Sequence, residues 1–359
     1  MTKRERVEAT ILFQETDRVP LYDIIINDDV IRHFTGRIPP VGDEGARLQC
    51  EAIGKMLDMT RMAGIGPVEK GEYTDDDGFI HSRNRWTSGG ILKRPFDDEQ
   101  GAKEWLEGAN RRIADRIRGF STDEFRSLFL DHYRRITNYI GDDTVVLHGQ
   151  SGTGLDAVRY ALGLALFSYV DADAPDLIGE YLELSTEFEV KKIHAIADSN
   201  LSPCALTFGD IAFKGTLIHS PPWLRREFIP RLARLNRAWH DHGVKCLFHS
   251  DGDLMEVMPD LIDSGIDGFN PIETAAGMTI ESIRRRFGKK IFLAGGIDIS
   301  TLMSFGTPDE VKNVCRSAVR DAAGGYFMGS TTEIDPGSKV ENVLAMFEVS
   351  RESQSGNAL

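Results

Sequence analysis

His242-Gly-Val-Lys-Cys-Leu-Phe-His-Ser-Asp-Gly-Asp-Leu254, then Met255 to Ser264, then Gly265-Ile-Asp-Gly-Phe-Asn-Pro-Ile-Glu273 reads as strand, helix, strand. Val244 to Phe248 is a short, mostly apolar run, as a buried parallel strand requires. It ends in the polar His249-Ser-Asp-Gly-Asp253. Leu254, Val257, Met258, Leu261 and Ile262 follow at helical spacing, Gly265 stops the helix, and Ile266 to Phe269 starts the next strand. Two successive strands thus finish in polar groups at one sheet edge, and ligands of parallel α/β proteins bind at the carboxyl ends of strands. His249 and Asp251 are two apart, so an extended backbone points both side chains to one face.

Working outward, the same rhythm recurs. Strands are expected at Arg18–Asn27, Thr144–Gly149, Cys204–Phe208, Lys290–Ala294 and Gly325–Met328, separated by amphipathic helices such as Thr122–Ile140, Asp176–Ala197 and Pro222–His240. Thr307-Pro-Asp-Glu310 and Ser338-Lys-Val-Glu341 read as capping boxes opening the last two helices. Tyr73 to Gly90 reads as an inserted β-hairpin turning at Asp75–Gly78, a lid or interface element. The three aspartates of that turn lack EF-hand spacing and read as a solvated turn. Gln150 to Gly163 is glycine-bearing but has no Gly-Lys-Ser/Thr, so it is not a nucleotide-phosphate loop. Alternation of strand and helix implies a parallel sheet with helices outside and leaves barrel and doubly wound sheet both open.

Composition narrows the function. The 359 residues carry a net charge of −14, which argues against nucleic-acid or anionic-membrane partners. Four scattered cysteines with no CxxC pair fit a reducing compartment; Cys204 and Cys246 read as buried thiols. No signal-peptide core or membrane-length apolar run is present, so a cytoplasmic protein is expected.

Arg18-Val-Pro20, Gly149 to Gly163, the His249 region, Gly295-Gly-Ile-Asp298 and Gly325-Tyr-Phe to Glu341-Asn-Val343, in this order, resemble the uroporphyrinogen decarboxylase superfamily. That superfamily holds the decarboxylases and cobalamin-dependent methyltransferases. The resemblance implies an α/β fold, a (β/α)8 TIM barrel with an N-terminal helical and β-hairpin elaboration. It implies one domain over 1–359, with the insertion at about 70–95 and a frayed tail at 352–359. It also makes a homodimer an expectation.

The resemblance then directs the chemistry. Decarboxylases of the family carry arginines near the first strand that grip porphyrinogen carboxylates; here the corresponding places hold residues such as Ile25 and Asn27. Zinc methyltransferases of the family bind metal through a His-x-Cys pair and a distant Cys. Here His249 stands, Asp251 replaces the first Cys, and the distant position falls on Thr332. A soft thiolate site is therefore gone, and a His249–Asp251 site for Zn²⁺ with Glu333 as third ligand is the expectation, Asp210 and Glu273 being the other candidates. The competing reading is a hydrogen-bonded cluster of His249, Asp251 and Asp253 without metal, still able to donate a proton. Catalytic roles are assigned to His249, Asp251, Asp210 and Glu273, and substrate contacts to Tyr22, Asn27, Phe208 and Phe269, with Phe213 as a further mouth aromatic. Family members lacking the thiolate pair include O-demethylases. The expected function is therefore demethylation of a small methoxylated, aromatic substrate, the methyl passing to the cobalamin of a partner corrinoid protein. The alternative is a decarboxylase or lyase acting on a smaller acid. A third, non-enzymatic reading is a corrinoid-binding or chaperone-like relative.

Overall fold

The computed structural model describes residues 1–141 and 143–352. Eight parallel staves close into a barrel. We number them β1 (residues 21–25), β2 (Met59–Thr60), β3 (Val145–Val146 continuing to Gln150–Gly152), β4 (Cys204–Phe208), β5 (Lys245–His249), β6 (Gly268–Asn270), β7 (Phe292–Ile297) and β8 (Tyr326–Ser330). Neighbours pair in sequence order from β2 to β8. Closure falls to β1, whose Leu21 bridges Met328 of β8 and whose Tyr22 bridges Met59 of β2. The expected strand over Arg18–Asn27 survives only as these isolated bridges. Pro20 lacks an N–H, and Gly329 lies so close that a Cβ there would sit 2.0 Å from the Tyr22 carbonyl oxygen. Of the two topologies that alternation left open, the structure is the barrel.

Parity along the staves divides the core in two. Leu206, Leu247, Phe292, Ala294 and Phe327 point inward with Tyr22 and Met59 and form one buried cluster. Phe248, Phe269, Leu293 and Met328 point outward into the larger cluster beneath the helices. Val7 and Ile11 of the first helix, Lys3–Ile11, join the inner cluster. The ring of Phe13, just beyond that helix, occupies the space a Cβ on Gly325 would need at the start of β8. The first helix therefore plugs the amino end of the barrel, leaving the carboxyl ends of the staves as its accessible mouth. Thr2 starts that helix with a capping box.

Three details differ from expectation. The inserted hairpin is a three-stranded antiparallel sheet, Gly71–Thr74, Ile80–Arg83 and Ser88–Lys93. Its first turn is held by Asp75, whose carboxylate accepts from the Asp77 and Phe79 amides, so the aspartate run is a turn. The Thr307 capping box forms, but Ser338 does not cap the last helix; its hydroxyl donates to Asp335 instead, and that helix begins at Val340. The predicted helix Pro222–His240 is broken by a π segment at Leu224–Phe228, next to Pro230, which has no N–H to give. Residues 353–359, most of the tail expected to fray, lie outside the described residues. Among the described residues no helix is long and apolar enough to cross a membrane.

Candidate functional site

The site is built from the carboxyl ends of β4, β5 and β8. His249 ends β5 with its side chain inward, and Asp251 follows two residues on; Asp210 follows β4. Ligand atoms of Asp210, His249 and Asp251 all lie within 4.8 Å of one another. Asp251 Oδ1 accepts from the Thr332 hydroxyl at 3.3 Å, which ties the cluster to the loop after β8. Thr332 adopts φ 83°, a left-handed backbone that a β-branched residue rarely tolerates and that is strained by about 1–3 kcal/mol.

Asn270, which sequence reasoning passed over, orders the histidine. It ends β6 directly opposite His249 in register. Its amide nitrogen donates to the Ala294 carbonyl at 3.2 Å, so its oxygen must face the imidazole, 2.8 Å from Nδ1. Nδ1 therefore carries the proton and donates, leaving Nε2 as a lone pair. Burial, reinforced by the Arg61 cation, pushes the imidazole down to about 3. Within the His–Asp pair this leaves the imidazole as the partner that accepts or ligates.

The acids behave oppositely. Burial, then the charges of Asp210 and Glu273, pushes Asp251 up to about 6. Burial pushes Glu333 up to about 7 against the pull of Arg61, with Asp23, Asp251 and Asp335 adding to the rise. Asp23, fully buried and bonded to Ser330, rises to about 6. Arg61 influences all of these groups. Its guanidinium has one long contact, 3.5 Å to the Thr332 carbonyl, and no ion pair among the described residues.

The other predicted residues divide. Glu273 accepts from the Gly252 amide at 2.8 Å and braces the loop that carries Asp251; it is not in the three-residue cluster. Gly252 is required there, since at φ +91° a Cβ would meet Ala212 at 2.6 Å. Glu333 is also outside that cluster, whose third member is Asp210. Tyr22 points into the lumen, its hydroxyl buried without a partner among the described residues. Phe208 packs inward, against the Gly152 backbone. Phe269 is corrected: it points outward and is fully buried under the helices, because the inner positions of β6 are Gly268 and Asn270. Asn27 is corrected as well. It caps the helix Asp28–Thr35 and donates to the Asp335 and Ser338 carbonyls, so its amide is spent on structure. Asp253 bonds the Met255 amide.

A profile for uroporphyrinogen decarboxylase (URO-D) matches residues 130–353, which includes every member of this cluster. The chain belongs to the uroporphyrinogen decarboxylase family. Over 184 residues it is 25% identical to methylated-thiol–coenzyme M methyltransferase of Methanosarcina mazei, a stretch amounting to 50% of this chain and 46% of that one. The match thus spans about half the length of that relative. A solved structure of a methyltransferase from Methanosarcina mazei superposes with a TM-score of 0.71 at 16% identity, covering 98% of this chain and 99% of that one, which establishes the shared fold.

The cluster fits a zinc ion. One neutral imidazole with its lone pair free, its other nitrogen fixed by Asn270, and two carboxylates form a donor set that Zn²⁺ accepts. A second grouping, His240, Cys246 and Asp267, lies at the opposite end of β5. Its Asp267 already receives His240, Lys245 and the Cys246 amide, so it is a closed ion-pair network.

Proposed function

We propose that this protein is a methyltransferase that removes the methyl group of a small methoxylated aromatic substrate and passes it to a corrinoid protein. The observation that carries the reading is the cluster of Asp210, His249 and Asp251 at the mouth, with the His249 Nε2 lone pair directed by Asn270. The methyltransferase names of the family relatives support it. The absence of arginines at the β1 positions named above weighs against a polycarboxylated tetrapyrrole.

An ether resists demethylation because its leaving group is a poor alkoxide or phenolate. Zinc held by Asp210, His249 and Asp251 would supply Lewis acidity at the ether oxygen. A cob(I)alamin on the partner would supply the methyl acceptor. The chain's own residues supply the rest. When the methyl carbon departs, both electrons of the C–O bond stay on oxygen, and a proton must arrive there. Glu333, raised to about 7 and outside the cluster, still holds a proton in a large share of molecules near neutral pH and is the donor, whereas His249 is neutral there and Asp251, as a ligand, is ionised. Phe208 and Tyr22 give the lumen an apolar lining, and the plugged amino end keeps water from entering below.

The test is to mix protein, reduced cobalamin and a panel of methoxybenzenes and follow methylcobalamin by absorbance beside an active demethylase. Methylation from an ether supports the reading, and none from any ether overturns it. Methylation from methanol or methylamines alone would keep the class and replace the substrate. Carbon dioxide released from a small acid would favour the decarboxylase alternative.

A further inference from the structure

Beside the cluster lies a cavity of about 480 Å³, a size suited to a single-ring ligand. Asp210 and Asp251 line it, so it opens directly on the candidate site. Tyr160 and Phe213, 49% and 55% exposed, give it aromatic surface that no described residue covers. Two arginines line it as well, Arg94 and Arg159.

Both arginines are incompletely used. Arg159 donates from Nη2 to Asp156 at 2.6 Å, while its Nη1 is buried and has no partner among the described residues. Arg94 donates to the backbone carbonyls of Ala161 and Tyr160, at 2.8 and 3.3 Å, and makes no ion pair among the described residues. A buried donor without an acceptor is costly, and a guanidinium without a counter-charge in a cavity is a ready anion receptor. The charges are also ordered. Asp156 stands between Arg159 and Asp210, accepting from the Arg159 guanidinium and from the Asp210 amide. Asp156 lines the cavity too and neutralises Arg159, so an anionic group is repelled from the Asp210–Asp251 end and drawn to Arg94.

We propose that this cavity binds aromatic carboxylates, with the carboxylate on Arg94 beside the Arg159 side chain, the ring against Tyr160 and Phe213, and the opposite edge toward Asp210 and Asp251. The inference deepens the methyl-transfer reading by naming the substrate class, an aromatic acid bearing a methoxy group, and rests on it only for what happens at that opposite edge. One guanidinium–carboxylate hydrogen bond accounts for roughly a tenfold to hundredfold change in affinity.

The experiment measures binding, so it is independent of turnover. Calorimetric titration compares 3-methoxybenzoate with the neutral 3-methoxybenzyl alcohol on the wild-type chain, Arg94→Gln and Arg159→Gln, with circular dichroism as the folding control. The expected result is at least tenfold preference for the acid, weakened by added salt and lost in Arg94→Gln. Arg159→Gln also breaks the Asp156 pair, so Arg94→Gln decides if that variant misfolds. Equal binding of acid and alcohol, no binding of the acid at millimolar concentration, or an unchanged preference in Arg94→Gln overturns the proposal. Arginine-dependent binding without methyl transfer would sink the reaction and leave this inference standing. Methyl transfer from neutral ethers, indifferent to Arg94, would do the reverse.

Discussion

Asn270→Ala isolates the device that sets the histidine. In the wild-type protein Asn270 is buried, sits opposite His249 in register, and accepts the Nδ1 proton at 2.8 Å while its amide is pinned on Ala294. Alanine removes that acceptor inside a closed lumen. The stranded N–H costs about 1–3 kcal/mol if the tautomer holds, and the ring escapes that cost by moving its proton to Nε2. That move blocks the lone pair a metal needs. Loss of such an outer partner lowers metal affinity by about tenfold to hundredfold. The assay has two parts: zinc affinity by chelator competition, and the His249 ring-nitrogen shifts by NMR without metal. Wild-type protein should show protonated Nδ1 and Asn270→Ala a mixture or the Nε2–H form. Asn270→Asp, which restores an acceptor and adds charge, should recover the Nδ1–H tautomer and raise the imidazole from about 3. Unchanged tautomer and unchanged zinc affinity in Asn270→Ala would refute the reasoning.

Further predictions concern the site residues and one half-buried histidine. His249→Ala and Asp251→Ala should each abolish turnover, whereas Thr332→Val, which removes one 3.3 Å hydrogen bond to Asp251, should cost about 0.5–1.5 kcal/mol of activation free energy; steady-state rates decide, and full activity in either alanine variant would defeat the site assignment. With its carboxyl raised to about 7, Glu333 is protonated below that pH, so a rate that needs its proton falls as pH rises through 7; Glu333→Gln should flatten that limb of the pH–rate profile, and an unaltered limb would acquit Glu333. Half-buried His219, stacked on Trp223, is pushed down to about 4 by its partial desolvation. A depressed histidine is neutral in the folded chain but takes a proton in the unfolded one below its ordinary 6.5. It therefore drains stability between pH 6.5 and 4, on the order of 2 kcal/mol. Urea titrations should show His219→Phe gaining stability relative to wild type at pH 5 compared with pH 8; a pH-independent difference would contradict the burial argument.

What could be seen in the sequence follows from what strands announce. β4 and β5 are apolar runs stopped by polar residues, so Asp210, His249 and Asp251 can be placed at the carboxyl edge of one sheet from spacing, and the family resemblance turns that edge into a barrel mouth. β6 is too short for that. Gly268, Phe269 and Asn270 carry no alternation, so the aromatic Phe269 reads as a mouth residue although the inward positions belong to its two neighbours. A signal existed, since an asparagine ending the strand after a histidine-ended strand is placed to face it. Asn27 looked like a strand residue because its role depends on the helix it caps, whose first turn Asp28-Asp29 was the overlooked clue. Arg61, Arg94 and Arg159 come from three separate parts of the chain, and no local pattern relates them.

Arg94 stands immediately after the last strand of the inserted sheet, Ser88–Lys93, and fastens itself to the carbonyls of Tyr160 and Ala161. Arg94, the charge proposed to choose the substrate, is thus borne by an appendage, while the residues proposed to act on it sit at or just beyond the ends of the staves. Selectivity and chemistry are in that sense separately inheritable. Grafting a different insertion at residues 71–94 would offer the same reactive end to a new class of molecule, and the barrel beneath would not need to be redrawn.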